Sequence, residues 1–397
     1  MSPTIELDRA KSASRWPPRA EVVGSLVRSP GFREAVDRQF AQAKAECRVG
    51  SAQEQDSSSP DVTTLADEYI VEVVRRQIAT GLDVVTDGEF RRYSFDSSLW
   101  DAVEGFGTDP MPLVFKNGAG EEAVWHANII EGRLRRTGNP AARDATFLAS
   151  ITDHPFKITF PAGSYEVLSF GMHGDDYAKG AYADPDEALN HVISIEKELV
   201  EGAIDAGARY VQFDYPVYPH LVDPLWLDAY EVAGQTRGGL LDRAISMDNA
   251  VLEGLPEGVR TAMHICRGNL GDKWLAEGSL EPIAERMFAE LRHDAFLLEW
   301  DAPARQGGFG LLRYARKGVM IVLGLVSTKS SDVESEDSLL RRIEEASQYI
   351  SIDQLALSSQ CGFSSSAVDN EIDEDTQWRK LEVIANVADR VWGRAQA

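Results

Sequence analysis

Four residues of metal-binding type stand at, or just after, the ends of apolar runs in this chain of 397 residues. His264 and Cys266 lie in HICRGN, Glu299 lies in FLLEWD, and Cys361 lies in SSQCGF. Within a strand, residues i and i+2 point to the same side, so His264 and Cys266 can face one point together. One imidazole, two thiolates and one carboxylate can hold zinc in a tetrahedral site. Each residue alone would more often be an ordinary buried side chain, so the prediction depends on all four meeting.

A second group of polar residues ends other apolar runs. Ser25 follows EVVG, Glu89 and Arg91 lie in TDGEFRR, and Asp214 ends VQFD. Carboxylates with neighbouring donors can hold the ammonium and carboxylate groups of an amino acid, or can position a proton relay. Asp and Arg at such positions can also pair only with each other, so a structural role stays open. The pattern alone leaves substrate binding and a structural role equally open for this group.

The runs themselves alternate with amphipathic helical segments such as ALNHVISIEKELVEGAIDAG. Short apolar strands that are each followed by a helix are typical of buried parallel sheets. Eight such units predict an α/β fold of the (β/α)8 TIM-barrel type, in which chemistry gathers at the carboxyl ends of the strands. An open doubly wound sheet is the alternative, but no GxGxxG follows the first run. The predicted strands are 21–25, 82–89, 156–162, 209–216, 260–266, 295–301, 319–327 and 354–359.

The domain prediction is a single barrel domain over residues 19–397, preceded by a flexible segment over residues 1–18. Residues 100–155 interrupt the alternation with Gly, Pro, Trp and charged residues between the second and third strands. This stretch predicts an inserted subdomain of β-hairpin type near the barrel mouth.

Composition and charge exclude several partners. Acidic residues outnumber basic ones 64 to 40, which gives a net charge of −24 and disfavours a nucleic-acid backbone or an anionic membrane surface. The start of the chain has no apolar segment of secretory type, and no run of about 18 apolar residues could span a bilayer. The three cysteines, Cys47, Cys266 and Cys361, are widely spread. We therefore expect a cytoplasmic protein with no disulfide framework, no nucleic-acid partner and no membrane partner.

The order of the motifs resembles that of a known family. VGSLVR, TDGEFRR, VQFD, HICRGN, FLLEWD, VLGLVSTK and SSQCGF follow one another as in the cobalamin-independent methionine synthase superfamily. The match is closest to its short, single-barrel members, which are described as 5-methyltetrahydropteroyltriglutamate–homocysteine methyltransferase-like proteins. It runs from about residue 19 to about residue 392.

The resemblance implies a (β/α)8 barrel whose zinc activates a thiol for methyl transfer. Carried over residue by residue, the zinc ligands become His264, Cys266, Glu299 and Cys361. The residues that contact the amino-acid part of homocysteine become Ser25, Glu89 and Asp214. The implied partners are a small-molecule thiol and a methyl donor of the methyltetrahydrofolate type.

The chain also departs from the family pattern. The full-length enzymes have two barrels, and their histidine for proton transfer follows the seventh strand, where this chain has GLVSTKSSD. Lys329 is nearest to that place, so Lys329 and Asp214 are the predicted catalytic residues. Many relatives also carry a histidine where this chain has Val22. The segment PAGSYEVLSF, expected to help hold the pterin, matches poorly, so the resemblance implies the zinc–thiol chemistry more strongly than the donor.

Three functions follow from these observations. The first is zinc-dependent methyl transfer to a thiol, with homocysteine giving methionine. The second is alkyl transfer to another thiol, as in the epoxyalkane–coenzyme M transferases or in a specialised-metabolite pathway. An acceptor that carries a sulfonate would favour basic residues such as Arg91 or Arg92. The third is a non-catalytic barrel with a closed, structural zinc. The carboxylates Glu89 and Asp214 favour an amino-acid acceptor and so the first function.

Overall fold

The computed structural model describes residues 16–39, 62–366 and 372–393. Residues 1–15 of the predicted N-terminal segment, and Cys47, lie outside the described residues. The strands of the described part are, in chain order, β1 (Ala20–Glu21), β2 (Val103–Thr108), β3 (Leu113–Lys116), β4 (Glu122–Trp125), β5 (Asn128–Arg136), β6 (Lys157–Pro161), β7 (Tyr210–Asp214), β8 (Arg260–Ile265), β9 (Ala295–Glu299), β10 (Met320–Val326) and β11 (Leu355–Ser359).

Helices surround a central parallel sheet of seven strands, in the order β1–β11–β10–β9–β8–β7–β6. These strands are buried on both faces, as their near-continuous apolar sequences predict. The helices are α1 (Pro30–Gln39), α2 (Val62–Thr80), α3 (Ser97–Trp100), α4 (Pro140–Ile151), α5 (Glu166–His173), α6 (Pro185–Asp205), α7 (Pro224–Val232), α8 (Arg237–Val251), α9 (Glu281–Glu290), α10 (Pro303–Gln306), α11 (Glu336–Ser347) and α12 (Glu374–Trp392).

The segment around Val85 fills the gap between the two edges of this sheet. Val85 forms an isolated parallel bridge with Phe156, and the backbone N–H of Asp83 donates to the carbonyl of Ala20 at 2.9 Å. The segment is therefore paired on one side with Phe156, next to β6, and on the other side with Ala20 in β1. The fold is a (β/α)8 barrel with an insertion after the second strand position, as the sequence predicts.

The third to eighth predicted strands correspond to β6–β11, whose bounds lie within two residues of the prediction. The first two predicted strands are shorter than predicted. β1 has two residues, and 82–89 contributes a single bridge instead of a ladder. Thr86 donates its hydroxyl to the carbonyl of Gly24 at 2.6 Å, and Gly88 and Glu89 have φ values of 68° and 58°. Such left-handed residues cannot continue a strand, so the chain turns here.

Residues 103–136 form two antiparallel pairs, β2 with β5 and β3 with β4. Lys116 in β3 bonds reciprocally to Trp274, and each backbone N–H donates to the other residue's carbonyl at 2.9 Å. Trp274 lies in the loop after β8, so this contact ties the β3–β4 hairpin to a loop at the barrel mouth. Among the described helices, none is long and apolar enough to cross a membrane.

Two buried carboxyl groups, Glu166 and Asp248, lie on helices of the barrel, α5 and α8. Burial raises the pKa of Glu166 to about 8, although the hydroxyl of Tyr177 donates to its Oε2 atom at 2.6 Å. Burial likewise raises the pKa of Asp248 to about 6. A neutral acid of this kind is stable in the fold while it keeps its proton.

We expect Glu166 to make the free energy of unfolding fall as pH rises from about 5 to about 8. The unfolded chain releases this proton near its usual pKa of 4.5, whereas the folded chain holds it to about pH 8, so the folded state binds more protons in between. Glu166→Gln should remove about 1.4 kcal/mol per pH unit of that slope. Urea unfolding at several pH values measures it, with Glu201→Gln on the exposed face of α6 as the control. An unchanged slope in Glu166→Gln would contradict this assignment.

Candidate metal centre and substrate cavity

The structure brings three of the four predicted metal ligands together. One ligand atom from each of His264, Cys266 and Cys361 lies within 4.8 Å of the others, and all three residues are buried. His264 is the second-last residue of β8, Cys266 directly follows that strand, and Cys361 lies just after β11. The parallel arrangement places both strand ends at the same mouth of the barrel, which is why residues about 95 positions apart can meet.

The imidazole of His264 is oriented for binding a metal. Its Nδ1 atom lies 3.3 Å from the carbonyl oxygen of Leu297, which can only accept, so Nδ1 carries the proton. The buried Nε2 atom then presents a lone pair, and it has no hydrogen-bond partner among the described residues. A hydrogen bond from the second ring nitrogen to a carbonyl is the usual support of a metal-binding histidine.

The pKa values of the two thiols shift in opposite directions. The Cys266 thiol, helped by the charge of Lys329, holds the pKa of Cys361 well below its usual range, against the effect of burial. The neighbouring Cys361 and burial raise the pKa of Cys266. Two cysteine sulfur atoms and an unpartnered imidazole nitrogen form a soft donor set, and zinc fits it. Three protein ligands would leave the fourth tetrahedral position open, as in catalytic zinc sites.

Glu299, the fourth predicted ligand, lies outside the group of three. Its Oε2 atom accepts from the backbone N–H of Arg267 at 2.7 Å, and its Oε1 atom accepts from Gln306 at 2.6 Å and Arg305 at 3.1 Å. Burial opposes its ionisation, but the charges of Lys329, Arg267 and Arg305 lower its pKa overall. Glu299 is thus a buried, ionised carboxylate with both oxygens already bonded.

A cavity of about 70 Å³ adjoins the three ligands. The predicted substrate residues Ser25, Glu89 and Asp214 line it together with His264, Cys266 and Cys361. Its remaining lining residues are Val23, Gly24, Ser94, Phe95, Leu113, Phe115, Trp125, Tyr165, Tyr215, Gly268, Asn269, Leu270, Gly362, Ser365 and Ser366.

Asp214 is held by a row of hydrogen-bonded polar side chains inside the barrel. Lys157 donates to Glu21 at 2.6 Å and to the side-chain oxygen of Gln212 at 2.7 Å. The amide nitrogen of Gln212 then donates to Asp214 at 2.7 Å. Asp214 is the cross-strand neighbour of His264, so it stands beside the metal ligands. Burial raises the pKa of Asp214 to about 7.

Glu89 reaches the cavity from the turn that replaces the second strand. Its Oε1 atom accepts from the hydroxyl of Thr159 at 2.7 Å and lies 3.9 Å from the guanidinium of Arg92. Burial raises the pKa of Glu89, and Arg92 opposes that rise. The carboxylate lies against β1 because Gly24 has no side chain: a Cβ atom there would stand 2.4 Å from Oε1 of Glu89.

We expect Gly24→Ala to displace the carboxylate of Glu89 without removing the metal. The clash falls on the end of a flexible side chain, so the free energy of unfolding should change little. The affinity for an amino-acid ligand should fall, because Glu89 can no longer occupy its place. Calorimetric titration and metal analysis of the variant test this, and a variant that binds the ligand as the parent does would contradict the role given to Glu89.

Two other predicted residues lie outside the cavity lining. Arg91 is buried against α4, where it pairs with Asp144 at 3.0 Å and with Asp67. Both ends of its guanidinium therefore pair with carboxylates away from the cavity, and substrate binding by Arg91 stays a prediction. Lys329 donates to the carbonyl of Gly268 at 3.1 Å and to the side chain of Asn269.

The sequence prediction missed Asn269 and the aromatic wall of the cavity. Asn269 donates to the carbonyl of Gly362 at 3.1 Å and to Ser365 at 2.9 Å, which joins the loops that carry Cys266 and Cys361. Because Asn269 lies in the same HICRGN motif as His264 and Cys266, the sequence could have indicated that it belongs to the site. Phe115 and Trp125 come from the insertion. The alternation of side chains in LVFK and EAVW predicts that one face of each strand is buried, but it does not predict that this face lines the cavity.

The fold and site together define a TIM-barrel protein with a soft donor set that could hold a metal and two carboxylates, all at the mouth formed by the carboxyl ends of its strands. The chain belongs to the cobalamin-independent synthase catalytic-domain family, whose model matches residues 39–376. This membership confirms the resemblance found in the motifs. The family is one of methyltransferases of the methionine synthase type, and its relatives include proteins that transfer methyl or alkyl groups to thiols.

Similar proteins span between three quarters and nearly all of the chain. The Bacillus subtilis protein YxjG is 34% identical over 391 residues, covering 96% of this chain and 97% of its own. The 2-hydroxypropyl-CoM lyase of Xanthobacter autotrophicus is 21% identical, covering 77% of this chain and 82% of its own. A structure from Listeria monocytogenes, assigned as a vitamin-B12-independent methionine synthase, has a TM-score of 0.66 at 25% identity and covers 95% of this chain and 98% of its own.

Proposed function

We propose that the protein is a zinc-dependent methyltransferase that moves a methyl group onto the thiol of homocysteine and so forms methionine. The observation that carries the proposal is a single cavity lined by His264, Cys266 and Cys361 on the one hand and by Glu89 and Asp214 on the other. The first three residues suit a metal that activates a thiol. The two carboxylates suit the ammonium group of an amino acid that carries that thiol.

Zinc bound by His264, Cys266 and Cys361 would lower the pKa of an acceptor thiol, which is otherwise about 8.5 and mostly protonated at neutral pH. The chain supplies the rest of the site. The carbonyl of Leu297 keeps the proton of His264 on Nδ1, so the ligand atom stays free. Whether Glu299 adds a fourth ligand stays a prediction, because its oxygens are bonded to Arg267, Arg305 and Gln306.

Glu89 and Asp214 orient the acceptor. Both are buried, so a charged hydrogen bond to an ammonium group is stronger there than at the surface. The ammonium partner would in turn favour the ionised form of both carboxyl groups. With the ammonium fixed, the length of the substrate's side chain sets where its sulfur lies, and homocysteine is one methylene longer than cysteine. Ser25 contributes a hydroxyl to the same wall.

Positioning and exclusion of water would favour the transfer itself. Aromatic side chains cover the cavity, so the acceptor sulfur loses competing water as the donor's methyl group approaches in line. Asp214 and Lys329 stay the predicted residues for moving a proton. Asp214 lies at the cavity, whereas the ammonium of Lys329 is bonded to Gly268 and Asn269.

An acceptor carrying a sulfonate is the second candidate, because a relative is a 2-hydroxypropyl-CoM lyase. Among the described residues, no Lys or Arg lines the cavity, so a sulfonate would find no cationic partner there. The charge of the cavity therefore favours an amino acid.

The test is a comparison of thiols at equal concentration on the zinc-loaded protein, with calorimetry as the readout. Homocysteine should bind more tightly than cysteine, and both more tightly than 2-mercaptoethanesulfonate. Binding of the sulfonate in preference to homocysteine would replace the proposal by the second candidate. A protein that binds none of the three would exclude both.

A further inference from the structure

Five aromatic side chains line the same cavity as the two cysteines. Phe95, Tyr165 and Tyr215 contact one another, with ring centroids 5.8 to 6.1 Å apart. Phe115 and Trp125 come from the β3–β4 hairpin and line the cavity as well. All five rings therefore border the space in which a methyl group would meet the acceptor sulfur.

The hairpin rings are fixed beside the loop that carries Cys266. Lys116, next to Phe115, bonds reciprocally to Trp274 in that loop. Gly268, two residues after Cys266, has a φ of 90°, and a Cβ atom there would lie 2.9 Å from the ring of Phe115. Phe115 thus packs directly on the loop after β8. These contacts fix the hairpin against the loop after β8 and so hold Phe115 at the cavity.

The charge of this cavity is one-sided. Glu89 and Asp214 line it, and among the described residues no Lys or Arg side chain does. An anionic donor would lose its hydration here without gaining a cationic partner. A cationic donor would gain from the aromatic faces while the two carboxylates hold the acceptor's ammonium group, because the ring quadrupole attracts positive charge, most strongly where water is excluded.

We propose that the methyl donor is a small onium compound, a sulfonium or quaternary ammonium ion whose methyl groups contact Phe115, Trp125 and the Phe95–Tyr165–Tyr215 cluster. The inference rests on the proposed function, since it names the donor for that transfer. The acceptor's thiolate sulfur forms a bond to the methyl carbon as the bond from that carbon to the onium sulfur or nitrogen breaks. The electron pair leaves with the donor atom, which becomes a neutral thioether or tertiary amine, and no proton moves in this step.

The experiment gives the zinc-loaded full chain homocysteine and one donor at a time, each with a deuterated methyl group. The donors are S-methylmethionine, trimethylsulfonium, glycine betaine and 5-methyltetrahydrofolate, and mass spectrometry detects labelled methionine. We expect label from at least one onium donor and none from the folate. Label from the folate alone, or from no donor, overturns the proposal. Metal content and homocysteine affinity, measured on the same sample, report separately on the proposed function.

The role of the rings is tested by Phe115→Leu and Trp125→Leu, with Trp125→Phe as the conservative change. The matched controls are Val114→Ala and Val124→Ala, whose side chains are 41% and 43% exposed on the other face of the same hairpin. The KM for the onium donor should rise about tenfold in the leucine variants, with the KM for homocysteine and the metal content unchanged. Trp125→Phe should restore most of the affinity, and the controls should behave as the parent.

Charge recognition is separated from simple apolar contact by a pair of competitors. Glycine betaine carries a trimethylammonium group, and 3,3-dimethylbutanoate replaces its nitrogen by carbon. Betaine should compete at least about tenfold more strongly in the parent, and Trp125→Leu should reduce that preference. Equal competition by both compounds would mean that the rings bind any apolar group, and it would overturn the onium proposal.

Discussion

Cys361→Ser is expected to abolish zinc binding, taking the metal content from about one ion per chain to nearly none. Cys361 supplies one of three donors that stand within 4.8 Å of one another. Serine is a far weaker ligand for zinc than a thiolate, and two remaining donors do not make a stable site. Methyl transfer should fall to the background rate, because the acceptor thiol would no longer be activated. Metal analysis by mass spectrometry after dialysis against a weak chelator measures the loss.

Two further cysteine variants control this result. Cys266→Ser should lose zinc as Cys361→Ser does, since both thiols belong to the same centre. Cys47, which lies outside the described residues, is predicted from the sequence to have no role, so Cys47→Ser should keep both metal and activity. A Cys361→Ser protein that retains the parent's zinc would show that the metal, if there is one, is held elsewhere.

Asp214→Asn and Glu89→Gln should each weaken homocysteine binding about ten- to a hundredfold while leaving the zinc in place. Each change removes one charged partner of the ammonium group, which typically costs about 1.5–3 kcal/mol. Asn and Gln keep the shape of the side chain and can still accept from Gln212 and Thr159, the partners seen in the fold. Isothermal titration with homocysteine gives the affinities.

The matched control for these two variants is Glu166→Gln, a buried carboxyl group outside the cavity. It should bind homocysteine as the parent does. Unchanged affinity in both Asp214→Asn and Glu89→Gln would separate the carboxylates from the acceptor and would favour another thiol.

The sequence predicted the parallel part of the barrel well because those strands are buried on both faces. β8, β9 and β10 are nearly continuous apolar runs with polar residues only near their ends, and β7 differs by the polar Gln212 at its centre. The prediction of a strand over 82–89 is wrong for a local reason. Its residues have strand-forming types, but Thr86 bonds to Gly24, and two left-handed residues then turn the chain. Such side-chain bonds to distant backbone are invisible to periodicity.

The same limit explains the candidate site. Residues at the ends of buried strands converge by topology alone, so His264, Cys266 and Cys361 could be predicted together. The actual bonds of a carboxylate depend on loops that follow no periodicity. Glu299 is predicted as a fourth metal ligand and this stays a prediction; the sequence pattern does not show that Arg305 and Gln306 from α10 reach its carboxylate. Arg91 lies near Glu89 in the chain, but it turns outward to Asp144.

The central claim is that the acceptor's sulfur joins a metal held by His264, Cys266 and Cys361. The most direct test is the absorption spectrum of the protein with cobalt(II) in place of zinc, titrated with homocysteine and with its oxygen analogue homoserine. We expect homocysteine to produce a new sulfur-to-cobalt charge-transfer band and to release about one proton near neutral pH, because the metal binds the thiolate. Homoserine should do neither, since its hydroxyl is far harder to deprotonate. A cobalt spectrum that no thiol perturbs would mean a closed, structural metal, and it would contradict the account.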